Sequence, residues 1–140
     1  MKRKWMWVPI IAIALCAIGF SAWAGSKAGV ISHVRRNLDE METYANGCME
    51  HPDDYVNYNG WNTSYQTQYG VVTFQVRYQG FGSQSNEKGF YYSPDGQPKD
   101  FGCILGQEQW EQQILFLGEG DNYVLTEQIA PNWFWYEQHW

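Results

Sequence analysis

Positive charge is scarce in this 140-residue chain once its first 24 residues are set aside. Residues 25–140 carry six Lys/Arg (Lys27, Arg35, Arg36, Arg77, Lys88 and Lys99) against all fifteen Asp/Glu, a formal charge of −9. Affinity for nucleic acid comes from neutralising phosphates with Lys and Arg, so this balance argues against a nucleic-acid partner. Catalytic signatures are missing as well. No G-x-S-x-G, H-E-x-x-H, P-loop or dinucleotide fingerprint occurs, and none of the three His stands beside a plausible Ser nucleophile. The reading is of a protein that is not an enzyme and needs no cofactor and no metal. Paired acids such as Asp53-Asp54 and Glu108/Glu111 have the chemistry for glycoside hydrolysis, but a chain with fifteen acids contains such pairs by accident. The acidic group Glu42, Glu50, Asp53 and Asp54 lacks the alternating loop that makes a calcium site. Disorder is excluded by the aromatic content, since disordered chains are poor in aromatic residues.

There is one long apolar run, Trp5–Phe20, and it lies at the N-terminus. Met1-Lys2-Arg3-Lys4 precedes it and Ser21-Ala22-Trp23-Ala24-Gly25 follows. A basic start, an apolar stretch and a small-x-small end are the parts of a secretory signal peptide, with Ala22 and Ala24 as the small residues of a cleavage site after Ala24. The competing reading is an uncleaved anchor, although about 16 apolar residues fall short of the ~20 that span a bilayer. Residues 1–24 are therefore read as a signal peptide, and residues 25–140 as a single exported domain, periplasmic or extracellular. If the leader is retained, residues 5–24 would tie that domain to a membrane.

Cysteine is down to two after the leader, Cys48 and Cys103. An even number in an oxidising compartment predicts a disulfide, here closing a loop of about 55 residues and worth on the order of 4 kcal/mol. The alternative is a metal site with Cys48 and His51 at C-x-x-H spacing, completed by Cys103 and His139, which the export signal disfavours.

Periodicity supplies the fold. Val30, Val34, Leu38, Met41 and Ala45 recur at steps of three and four, predicting an amphipathic helix over 27–46, capped by Ser26 and stopped at Asn46-Gly47. Beyond it the period becomes two. Val72, Phe74, Val76 and Tyr78 alternate with Thr73, Gln75, Arg77 and Gln79, predicting a strand over 71–79 with one wet face. Tyr65–Tyr69 is expected to pair with it around Gly70. Gly80–Lys88 reads as a polar loop. Gly89–Ser93 and Phe101–Leu105 read as short strands about a Pro94-Asp95-Gly96 turn. Gln109–Leu117 and Asn122–Ile129 flank Gly118-Glu119-Gly120-Asp121, a hairpin signal. Trp133–Tyr136 reads as a last strand. The expected class is α+β: one N-terminal helix packed on an antiparallel sheet of about four to six strands, held by one disulfide.

Function is read from the surplus of aromatics, alongside twelve Gln and eight Asn after residue 25. Aromatics give rigid contact area at low entropic cost and amides supply hydrogen bonds, a mixture that binding sites favour. Trp61, Trp133, Trp135 and Tyr136 are the candidate binding residues. His139 and Trp140 are terminal, where fraying is the default. The leading expectation is a small exported module that binds a basic protein partner, of inhibitor or immunity type, since acidic surfaces steer basic partners. The alternatives are a glycan or peptidoglycan binder using surface Trp and Tyr, and a membrane-anchored envelope component.

Overall fold

The computed structural model describes Cys16, Gly19 and Trp23 and residues 25–81, 84–103, 109–111, 114–119 and 121–140. The expected signal peptide and its cleavage residues Ala22 and Ala24 lie outside the described residues. Among those described, no helix is long and apolar enough to cross a membrane. The chain divides into two compact units, Met1–His33 and Val34–Trp140.

Ser26 begins the first helix, α1 (Lys27–Arg36). Its hydroxyl accepts the Gly29 N–H at 3.1 Å and its carbonyl accepts the Val30 N–H at 2.9 Å, so the Ser cap forms as the sequence predicts. The single helix expected over 27–46 is instead two. Asn37 leaves helical geometry at φ −124°, and α2 (Leu38–Glu50) starts after it with Asp39 and Glu40 in its first turn, where the helix dipole favours acids. Helix α2 runs through Asn46-Gly47 to Glu50. Gly47 is there for room: a Cβ on it would collide with the Tyr55 ring. The stop comes from Pro52, which forces a new start as a 3-10 turn over Pro52–Asp54.

Among the described residues eight strands make one antiparallel sheet: β1 (Asn57–Tyr58), β2 (Trp61–Gln66), β3 (Val71–Phe81), β4 (Gln84–Tyr92), β5 (Gln109–Glu111), β6 (Ile114–Glu119), β7 (Asn122–Ala130) and β8 (Trp133–His139). Their order is β1-β2-β3-β4-β8-β7-β6-β5. Two meanders, β1–β4 and β5–β8, therefore meet where β4 pairs with β8. The sheet exceeds the expected four to six strands for identifiable reasons. The polar stretch read as a loop, 80–88, supplies the outer halves of β3 and β4. The segment 109–117, read as one strand, holds β5 and β6, which pair antiparallel through Trp110↔Leu115. Phe101–Leu105 is not a strand: Phe101-Gly102 is a turn, and residues 104–105 lie outside the described residues. The β2–β3 turn at Gly70 (φ +65°) and the β6–β7 register Glu119↔Asn122 agree with the sequence reading.

Residues paired in register share a face of the sheet. Helix α2 packs on one face, where Phe74 and Phe90 stack with ring centroids 4.7 Å apart and Trp133 closes against Phe74 at 5.6 Å. Tyr44 of α2 lies against Phe74, Tyr55 and Tyr58. The Tyr58 and Tyr92 hydroxyls donate to Glu40 and Glu42 of α2, each at 2.9 Å. Burial, then the adjoining glutamate, pushes both phenols up to about 12. The segment 93–103 covers the other face. Its Lys99 N–H donates to the Tyr91 hydroxyl at 2.9 Å, the Thr126 hydroxyl donates to the Lys99 carbonyl at 3.2 Å, and Phe101 packs edge-on against Tyr91. A turn held by Asp95 launches this segment: its carboxylate accepts from the Ser93 hydroxyl, the Gln97 N–H at 2.9 Å and the Lys99 ammonium.

This second cover corrects two expectations. Val71, Val72, Thr73 and Phe74 are all buried, so the start of β3 has no wet face. The disulfide does not form. Cys48 belongs to α2 on one face, where its thiol faces the Tyr55 carbonyl, while Cys103 clusters with Leu117 and Val124 on the opposite face. Neither is in a disulfide, and both thiols are buried, with the sheet between them. The same separation prevents Cys48, His51, Cys103 and His139 from converging on a metal.

Candidate functional site

Three of the four aromatics expected to bind are core. Trp133, Trp135 and Tyr136 are 1–2% exposed. Strand β8 lies between β4 and β7, and both faces are covered at its start, so an alternating aromatic run fills both sides. Trp133 and Trp135 point to the α2 face, and Tyr136 lies with Tyr91 and Phe134 on the other. Burial and the Glu87 carboxylate that accepts its hydroxyl raise the Tyr136 phenol well above its ordinary value. Trp61 is half-buried, edge-on to Phe90 at 5.0 Å and stacked near Tyr58. The four therefore do not make a shared surface.

A groove opens elsewhere, on the α2 face but past the end of the helix-covered core. A β-bulge creates the floor. The β3–β4 register skips Val76, passing from Gln75↔Gly89 to Arg77↔Lys88. The extra residue turns Arg77 and Gln79 onto the face that Phe74 occupies and sends Tyr78 to the other, contrary to the alternation expected from sequence. One cross-strand row then reads Gln79–Asn86–His139–Tyr123, drawn from β3, β4, β8 and β7. The Tyr123 and His139 rings stack at 4.9 Å and 13°, and Phe116 of β6 continues the stack at 5.6 Å.

This row floors a groove of about 760 Å³, walled by Gln84, Ser85, Asp121, Asn122 and Trp140. A recess of about 250 Å³, lined by Arg77 and Lys88 with Gln79, Asn86 and His139, continues it along the strands. The end of the chain is held in place there: the Ser85 N–H donates to the Trp140 carbonyl at 2.9 Å, and the Trp140 N–H to the Ser85 carbonyl at 3.0 Å. His139 and Trp140, expected to fray, are thus part of the sheet. One atom in the floor is conspicuous. Asn86 Oδ1 is buried with no hydrogen-bond partner among the described residues. A buried acceptor left unpaired costs about 1–3 kcal/mol.

The arrangement can do three things chemically. Side-chain amides offer paired donors and acceptors. Stacked rings give an apolar platform that is not consumed by the core. Asp121 can accept hydroxyl protons at one end, and Arg77 and Lys88 supply positive charge at the other. Sequence reasoning missed Gln79, Asn86 and Tyr123. The signal available was the Gln/Asn surplus on β-period segments, obscured because 80–88 reads as a loop. On the opposite face, a smaller cavity of about 200 Å³ lies among Gln66, Tyr69, Thr73, Glu87, Phe101, Tyr136 and Gln138. Its Glu87 already accepts the Tyr136 hydroxyl. Among the described residues no group of three or more His, Cys, Asp or Glu could hold a metal ion. No protein-family model, curated protein or solved structure matches the chain.

Proposed function

We propose that this chain is an exported binding module whose groove takes a glycan. The observation that carries the reading is the Gln79–Asn86–His139–Tyr123 row, side-chain amides beside stacked rings, on the groove floor. A sugar matches that floor on both counts: its hydroxyls satisfy amides and its C–H faces pack on aromatic rings. Binding, rather than hydrolysis, fits the walls. Asp121 is the one side-chain carboxylate among the groove's described lining residues, whereas glycosidases work with a pair of Asp/Glu side chains. The test is titration with soluble oligosaccharides, neutral and acidic, read by intrinsic fluorescence, since Trp140 lines the site. Wild type is expected to respond and Tyr123→Ala to lose the response. A flat signal across neutral and acidic sugars would refute the reading.

A basic protein partner remains the second reading, and one observation favours it. Phe81, the last residue of β3, is 97% exposed, with Tyr78 at 58%. Exposed aromatics of this kind serve as interface anchors. Capture of a basic envelope protein that weakens with salt and with Phe81→Ser is the expected signature.

A further inference from the structure

We infer that the groove selects a sugar bearing a carboxylate, and that Arg77 is the residue that reads it; the inference rests on the glycan reading above. The row beside Gln79–Asn86–His139–Tyr123 is Arg77–Lys88–Glu137–Leu125. Arg77 and Lys88 thus stand directly opposite each other on adjoining strands and the same face. Like charges placed this way repel. Lys88 is compensated, its ammonium lying 2.8 Å from Glu137 Oε2. The other Glu137 oxygen accepts the Trp135 indole N–H at 2.9 Å. Both oxygens of the acid in this row are therefore engaged. Arg77 is exposed and forms no ion pair among the described residues.

An unneutralised guanidinium is unusual in a domain of charge −9, where carboxylates outnumber cations more than two to one. Here it opens onto the recess that runs into the groove. Its planar fork of donors matches a carboxylate in two parallel hydrogen bonds, which an ammonium cannot do. The far end of the groove has the opposite character. Asp121 and Asn122 can accept from sugar hydroxyls, and the Asp121 carboxylate repels a second carboxylate. The ligand is therefore polar along its length: one acidic unit at the Arg77 end and a neutral, hydroxyl-rich unit over Tyr123 and toward Asp121. A uniformly charged polyanion is disfavoured by the same Asp121 and by the net charge of the domain.

The test compares an oligosaccharide carrying one glucuronate unit with the same oligosaccharide after reduction of that unit to glucose, at about 0.15 M salt to screen diffuse charge effects. The full chain, Arg77→Gln and Arg36→Gln are titrated with both. The expected result is tighter binding of the acid by wild type, on the order of tenfold. In Arg77→Gln that preference disappears while affinity for the neutral sugar is kept. In Arg36→Gln, an equal charge change outside the groove, the preference stays. Equal affinities in wild type, a preference that survives in Arg77→Gln, or one lost equally in Arg36→Gln would each overturn the inference while leaving glycan binding in place. No binding of either sugar by wild type would overturn the glycan reading and this inference together.

Discussion

Around Val71–Phe74 and Phe90–Tyr92 the β3–β4 hairpin is buried on both faces; farther along the same two strands, Arg77–Phe81 are open to solvent. Two things change between these halves: β2 pairs with β3 only as far as Gln75, leaving Arg77–Phe81 bonded to β4 alone, and the cover over the two faces ends. Helix α2 and the segment 93–103 clamp the inner half from either side, and nothing among the described residues clamps the outer half on the groove face. The residue types follow. The inner half is aromatic and β-branched, the outer half amide and charged. One sheet thus serves as a core at one end and as a ligand floor at the other, with the Val76 bulge between.

The comparison breaks most visibly at the inner end. Trp133→Ala should cost about 3–5 kcal/mol by urea unfolding, as for other large buried aromatics, because its ring fills the space against Phe74, Phe90 and Tyr92. Gly89→Ala probes the last buried position of β4. A Cβ there would run into the Phe74 carbonyl and the Tyr136 ring, so a loss of about 2–3 kcal/mol is expected, measured in the same way. Tyr123→Ala belongs to the outer half and should reverse the pattern. Its stability cost is expected at about 1 kcal/mol or less, with ligand affinity reduced at least about tenfold. A Tyr123→Ala that unfolds the protein would make the groove part of the core and end the distinction.

Smaller effects sharpen the account of how the inner half is clamped. Burial raises the Asp95 carboxyl, but the hydrogen bonds from Lys99, Ser93 and Gln97 outweigh it and hold it down at about 2, below its ordinary 3.8. The stabilisation is therefore present above pH 3.8 and is lost as pH falls through 2. Since the Asp95 side chain is 55% exposed, the contribution is below about 1 kcal/mol. Asp95→Asn should flatten the acid limb of the stability curve between pH 4 and 2. The smallest expected effect is a null one. Reductant should leave the unfolding midpoint unchanged, and thiol titration of the denatured chain should find Cys48 and Cys103 both free; a shift with reductant would mean that the two residues are bridged.

What was legible in the sequence follows from the range of each interaction. Ser26 as a cap, the turns at Gly70 and Pro94-Asp95-Gly96, and the β6–β7 hairpin depend on neighbours a few residues away, and local patterns report them. The α+β class follows from periods of 3.6 and 2. Coverage of a second face is not local. No pattern in Val71–Gln79 announces that 93–103 will lie over Thr73 and Tyr91, so the burial of Tyr136 on that face is not legible; the packing of Trp133 and Trp135 on the α2 face and the placement of Cys48 and Cys103 on opposite faces are equally non-local. The bulge had the same effect on the site. It exchanges the faces of Arg77 and Tyr78, and a reader counting alternation places the wrong residues in the groove.

The pairing of β4 with β8 has a consequence for synthesis. Strand β8 is last of the eight in sequence yet fifth in the sheet. While a ribosome is still making residues 1–132, the β1–β4 and β5–β7 meanders each present an open edge, on β4 and on β7, and the Phe90 and Tyr91 rings lack the β8 residues that cover them. Unpaired edges next to exposed aromatics are where chains associate wrongly. The native sheet cannot close until β8 joins it through contacts distant in sequence, which slows folding relative to a fold of local contacts.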